Sequence, residues 1–133
     1  MIVADSSAWI EILADGPNAD VFASRIAEAE SIIIPTVVLY EVHKVVTRQL
    51  GEEAAAEASA ELAQNEVVSL SASLALAAAE TSLEHSLAMA DAIIYTTAQL
   101  HSATLVTGDA HFDGLPGVEY IPAPSVSSGR ADL

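Results

Sequence analysis

The chain has 133 residues, 52 % apolar and 5 % aromatic, which suits one domain with a core of Ala, Val, Ile and Leu. Nineteen acidic residues face four basic ones, for a net charge of −15, and there is no cysteine. Disulfides and thiolate metal sites are excluded, and the charge argues against the basic face that nucleic-acid binders usually carry.

No basic segment precedes Asp5 and Glu11, so the amino terminus does not read as a signal peptide. The longest uncharged stretch, Ala92 to Gly108, is too rich in Thr, Gln, His and Ser for a membrane span. A cytoplasmic protein is the expectation. The acidic balance and the single lysine, Lys44, suit a surface adapted to concentrated salt.

Ile2-Val3-Ala4 is uniformly apolar, the pattern of a parallel strand covered on both faces, and it delivers Asp5 at its carboxyl end. Ser6 or Ser7 can cap a first helix to Leu13, which Asp15-Gly16-Pro17 breaks. Val21, Phe22 and Ile26 give helical spacing to Ala19–Glu30, and Ser31–Ile34 reads as a strand ended by Pro35. Thr36 is a candidate cap for a helix to Leu50, with Gly51 as its stop. Glu52–Asn65 reads as a helix and Glu66–Leu70 as a strand. A helix from Ser71 or Ser73 to Glu84 and another from Asp91 to His101 precede strands Thr104–Val106 and Val118–Ile121. This alternation predicts an α/β fold, a parallel sheet in a three-layer α/β/α sandwich. One domain over 1–122 is expected, with a flexible tail over 123–133.

In such sheets, chemistry collects beyond the carboxyl ends of the strands. Asp5 follows the first strand, Asp109 the fourth, and Asp91 opens the helix leading into the fourth. At about 100° per residue, Val38, Val42, Val45 and Val46 form an apolar stripe with Glu41 at its edge, while Lys44 and Arg48 lie on the polar side. Two like charges ~4 Å apart repel by roughly 4 kcal/mol at an effective dielectric near 20. Four converging carboxylates therefore need protons or a cation, and an all-oxygen set suits Mg²⁺ or Mn²⁺ better than zinc. Such a site can activate water and hold a phosphoryl oxygen, with Ser7 and Thr107 orienting the carboxylates.

Each residue also has a plainer reading. Asp5 and Asp109 can be helix caps, Glu41 half of an i,i+3 pair with Lys44, and Asp91 an ordinary helix-start residue. His43, His85, His101 and His111 show no ligand spacing and read as structural or surface residues. Trp9 and Tyr40 read as core or interface packing, and Lys44 with Arg48 as a solvated face or a substrate-facing pair.

Met1-Ile-Val-Ala-Asp5-Ser-Ser7, Tyr40-Glu41-Val42, Met89-Ala-Asp91-Ala-Ile-Ile-Tyr95 and Leu105-Val-Thr107-Gly-Asp109 resemble, in order and separation, the motifs of PIN-domain nucleases, whose small members are VapC-type toxins. The resemblance implies strand order 3-2-1-4-5 and Mg²⁺- or Mn²⁺-dependent endoribonuclease activity. It implies catalytic metal ligands at Asp5, Glu41, Asp91 and Asp109, supporting hydroxyls at Ser7 and Thr107, and a less regular fifth acid at Asp113. It also implies an RNA substrate, a homodimer and a VapB-like antitoxin that places a basic side chain among the carboxylates.

Two features depart from the pattern. Leu87-Ala88-Met89-Ala90 stands where many such toxins have a Leu-Pro start, and the charge is unusually acidic for a protein that cuts RNA. A catalytically silent PIN module that binds protein is the alternative. A receiver-like phospho-acceptor fits poorly, because it needs an acidic pair after the first strand and a lysine after the fifth. Here Asp5 is followed by Ser6 and Ser7, and the only lysine lies in a helix.

Overall fold

The computed structural model describes residues 1–124. Five strands form one sheet: β1 (Ile2–Ala4), β2 (Ile32–Pro35), β3 (Glu66–Val68), β4 (Thr104–Thr107) and β5 (Val118–Tyr120). Their order is β3-β2-β1-β4-β5 and every pairing is parallel, as expected. Parallel neighbours require crossovers, supplied by helices α1 (Ser6–Leu13), α2 (Ala19–Glu28), α3 (Thr36–Leu50), α4 (Glu52–Leu62), α5 (Ala72–His85) and α6 (Met89–Leu100).

The apolar run at the amino terminus becomes the central strand, paired with β2 on one side and β4 on the other. Val3 and Ala4 are fully buried, as are Ile33, Ile34, Leu105 and Val106 on the neighbouring strands. The chain moves outward from β1 through β2 to β3, then returns to the other side of β1 with β4. This change of direction leaves a crevice beyond the carboxyl ends of β1 and β4, a ligand position in open sheets of this kind. Asp5 and Thr107 stand at those two ends.

Several boundaries differ from those expected. Asp5, rather than either serine, caps α1: its side chain accepts from the Ala8 backbone N–H. Thr36 is the first residue of α3, and Pro35 ends β2 from within the strand, paired with Val68. Gly51 does stop α3, with φ of +96°, a conformation costly for other residues. Ser71 caps α5 through the Leu74 N–H.

Helix α6 starts two residues before Asp91, so that carboxylate falls in its first turn, where the helix dipole favours a negative charge. Ala92 to Ala98 are all buried. Burial on every side explains why β-branched Ile93, Ile94, Thr96 and Thr97 are helical here despite their local preference. Thr97 also returns its hydroxyl to the Ile93 carbonyl at 2.7 Å.

Beyond β5, Ile121 N–H bonds the Thr107 carbonyl at 2.8 Å, and the Asn18 side chain bonds the Pro122 carbonyl at 2.9 Å. Most of the tail expected over 123–133 lies outside the described residues. No helix among the described residues is long and apolar enough to cross a membrane. With a net charge of −15, mutual repulsion should weaken the fold in dilute buffer. The Debye length contracts to about 3 Å near 1 M salt. The thermal midpoint is therefore expected to rise between dilute buffer and molar KCl, and a flat or falling midpoint would remove the case for a salt-adapted surface.

Candidate active site

The buried end of the site is Asp5, only 3 % exposed. Ser7 Oγ donates to its Oδ1 and Thr107 Oγ1 to its Oδ2, both at 2.6 Å. The Ala8 N–H adds a third donor to Oδ1 at 3.2 Å. The hydroxyls are fixed in turn: Gly108 N–H donates to Ser7 Oγ at 3.0 Å, and Asp109 N–H to Thr107 Oγ1 at 2.9 Å. The expectation that these hydroxyls orient a carboxylate therefore has a direct geometric counterpart. Glycine suits position 108, because a β-carbon there would stand 3.3 Å from the Phe22 ring and 3.6 Å from Ser7 Oγ.

Burial pushes the Asp5 carboxyl up to about 6, against three hydrogen bonds that favour the anion, with a further upward push from the charge of Asp109. Desolvation dominates because the carboxylate has left water for apolar surroundings. Burial also raises the Asp91 carboxyl, reinforced by Asp109 and more weakly by Glu41, while His111 opposes the shift. The four acids thus form a continuous run of mutual repulsion: Asp5 with Asp109, Asp109 with Asp91, and Asp91 with Glu41.

Glu41 does not pair with Lys44. It accepts a hydrogen bond from Ser6 Oγ at 2.8 Å, which ties α3 to the start of α1. The caps predicted by the plainer reading are real, since Asp5 caps α1 and Asp109 accepts from the His111 N–H at 2.9 Å. Capping one helix end leaves each carboxylate other lone pairs, so the two roles coexist.

The tightest group of possible metal ligands is Asp91, Asp109 and His111, with one donor atom from each within 4.8 Å of the others. Asp5 and Glu41 stand outside that group, held by Ser7, Thr107 and Ser6. Asp113 is exposed at the end of the short turn Ala110–Phe112 and also stands outside it. His111 Nδ1 lies 3.0 Å from Asp109 Oδ1 and 3.9 Å from Asp91 Oδ2. His111 is exposed, as the surface reading has it, but it also stands beside two of the acids, which that reading did not include. The signal in the sequence is its position two residues after Asp109, inside a turn that Asp109 itself caps. Ser6 went unrecognised as a partner of Glu41 for a different reason: 35 positions separate them.

Trp9 is buried in the core, whereas Tyr40 is 62 % exposed and does not pack there. Lys44 and Arg48 are exposed on α3. With Tyr40, Glu41, Ser6 and Ile10 they border a cleft of about 220 Å³.

The PIN-domain profile matches residues 2–118. The chain belongs to the PIN-domain family. Its fold is similar to that of a toxin–antitoxin complex component from Klebsiella pneumoniae (24 % identity, 91 % of this chain and 100 % of that one, TM-score 0.76). It is also similar to Mycobacterium tuberculosis VapC20, a sarcin–ricin loop cleaving toxin (21 % identity, 92 % and 100 %, TM-score 0.77). A third similar structure is VapBC2 from Rickettsia felis, solved bound to a fragment of promoter DNA (20 % identity, 90 % and 98 %, TM-score 0.70). At these identities the likeness is one of fold. No curated protein matches the sequence significantly. Within the PIN fold, the crevice beyond β1 and β4 is where this chain gathers its acids.

Proposed function

We propose that this PIN-domain protein is a divalent-metal-dependent endoribonuclease and the toxin of a VapBC-like pair. The observation that carries the reading is the meeting of Asp91, Asp109 and His111, one donor atom from each within 4.8 Å of the others, a grouping in which the two carboxylates repel. A cation relieves that repulsion, and the donor set of carboxylate oxygens with one imidazole fits Mn²⁺ or Mg²⁺. Asp91 and Asp109 would hold the ion with His111, whose donor atoms already stand together, and Asp5 and Glu41 are assigned to complete the set from beside them. Asp113, which the family resemblance suggests as a fifth acid, has no contact here that adds to that assignment.

When bound, Mg²⁺ or Mn²⁺ supplies activation of water and neutralisation of charge on the scissile phosphate. The chain's own residues supply order. Ser7 and Thr107 fix both oxygens of Asp5, so the carboxylate is held before substrate arrives. Ser6 does the same for one oxygen of Glu41 on α3. Hydrolysis in this arrangement would leave 5′-phosphate and 3′-hydroxyl ends. The test is incubation of total RNA with Mg²⁺, with Mn²⁺ and with EDTA, followed by end mapping. Cleavage unaffected by EDTA, or 3′-phosphate ends, would rule the reading out.

The net charge of −15 favours the second reading, a silent module that binds protein. Absence of cleavage with either metal across low and molar salt would select it. The toxin reading also supports a VapB-like antitoxin, whose basic side chain would enter the acidic crevice as a cation does.

The family resemblance further implies a homodimer, and we assign it to the face of α5 and α6. Leu76, Leu83 and Met89 are strongly exposed there beside an apolar cleft of about 520 Å³. Leu83→Glu is expected to convert the dimer to a monomer without unfolding it, because the side chain is 85 % exposed. Light scattering after size exclusion reads the mass directly. An unchanged mass would move the interface elsewhere.

A further inference from the structure

Resting on the ribonuclease reading, we propose that Tyr40, Lys44 and Arg48 form a subsite for the single-stranded nucleotides flanking the scissile bond. A base would stack on Tyr40, and phosphates would lie against Lys44 and Arg48. Three observations converge on this stretch of α3.

The first is the scarcity of positive charge. The chain has four Lys and Arg. Arg25 is committed to Glu119, through Nε to both carboxylate oxygens at 2.9 Å, and lies 3.5 Å from Glu28. Arg130 lies outside the described residues. Lys44 and Arg48 make no ion pair with a carboxylate among the described residues, although Glu41 lines the same cleft. Both border that cleft with Glu41, one of the candidate site acids. Among the described residues, Lys44 and Arg48 are the lysine and arginine free to meet a phosphodiester backbone beside Glu41.

The second is the exposed aromatic. Burying a tyrosine ring is favourable, yet Tyr40 is 62 % exposed. It is also adjacent in sequence to Glu41. A ring presented to solvent beside a charged groove is a platform on which any base can stack. Lys44 Nζ lies 5.7 Å from the ring centroid, a cation–π arrangement that keeps the positive charge next to the stacking surface.

The third is continuity. Tyr40 and Lys44 also border an open groove of about 470 Å³ with Leu39, His43, Ser59 and Ala63, leading away between α3 and α4. Positions 41, 44 and 48 follow one another along one helical face, so the path from Glu41 to Arg48 is a straight track. Its chemistry suits a single strand, because it offers charge and a stacking face but no wide basic surface for a duplex.

The test compares the full-length protein with Tyr40→Ala, Tyr40→Phe and Lys44→Gln/Arg48→Gln on a single-stranded RNA oligonucleotide that the wild type cleaves. KM and kcat are measured separately across a salt series. Tyr40→Ala is expected to raise KM by about 5- to 100-fold with kcat little changed, and Tyr40→Phe to restore it, since stacking needs only the ring. The double variant should flatten the dependence of log KM on log salt by about 1.4, roughly 0.7 for each single-strand phosphate that is no longer neutralised. Wild-type KM and salt slope in both Tyr40→Ala and the double variant would overturn the subsite while leaving the nuclease reading intact. Absence of cleavage by the wild type would instead remove the reading beneath it. Variants that cleave normally but no longer co-purify with a co-expressed VapB-like antitoxin would assign the groove to a protein and overturn the RNA proposal.

Discussion

Asp5→Asn is expected to reduce RNA cleavage by at least about 100-fold, the loss of some 2.7 kcal/mol of barrier lowering, while making the metal-free protein more stable near neutral pH. The two effects share one cause. The native Asp5 carboxyl is pushed up to about 6 from 3.8, so the folded state holds a proton that the unfolded chain releases. Between those values the native state binds more protons than the unfolded state, and stability falls as pH rises through the interval. Above it the ionised carboxylate costs the fold about 3 kcal/mol, since each tenfold change in its proton affinity is worth roughly 1.4 kcal/mol.

Asparagine removes that cost and still caps α1. It cannot accept from Ser7 and Thr107 with two equivalent oxygens, however, and one lost hydrogen bond returns about 1 kcal/mol. The net gain should be about 1–2 kcal/mol, seen as a rise of about 5 °C in Tm. The gain should shrink as pH falls from about 6 towards 4, and the cost of the buried charge is gone only below about 3, where Asp5 is protonated in both states. A thermal melt series in EDTA against pH measures this. A variant less stable than wild type at every pH would mean that the hydroxyl network, not the buried charge, dominates at position 5.

Saturating Mg²⁺ or Mn²⁺ is expected to stabilise the wild type and release protons on binding. A ligand at about 100 times its Kd adds about 2.7 kcal/mol when only the folded state binds it. The raised carboxyls give the sign of the pH dependence. Asp5, held up to about 6, and Asp91, also raised, must be ionised to serve as ligands, so apparent affinity should fall as pH drops through 6. Calorimetric titration in two buffers of different ionisation heat counts the protons, and EDTA should return the midpoint to its starting value. Asp91→Asn should weaken binding and halt the proton release at that residue. Metal affinity independent of pH between about 5 and 8 would separate the acids from the metal altogether.

Much of this could be read from the residues alone. The uniform apolar run Ile2-Val3-Ala4 required cover on both faces, and a strand so covered is central and parallel. Alternation of strands with helices then fixed the layers. The helix after Ala19 was legible from the helical spacing of Val21, Phe22 and Ile26, and the one after Glu52 from its Ala and Glu content, since both residues favour helix. Gly51 and Ser71 were legible because their backbone and hydrogen-bonding chemistry acts within a few residues. The start of α6 reads two residues late in the sequence, because its N-cap, Ala88, makes no side-chain capping bond that would mark the boundary there.

The chain by itself determined which acids were available and which strand ends would carry two of them, because strand ends follow from local apolar pattern. Only the tertiary structure decided how those acids are held. Thr107 was expected to orient a carboxylate, but that it binds Asp5 across 102 positions, and that Ser6 binds Glu41 across 35, are pairings no local periodicity specifies. The same holds for His111, placed beside Asp109 and Asp91 by the turn after β4, and for Tyr40, whose ring lies outside the core. Local chemistry writes the elements, but the close approach of charges depends on which elements meet. That meeting is settled by burial of the whole core, and it turns Asp5 from a helix cap into the most perturbed carboxylate among the described residues.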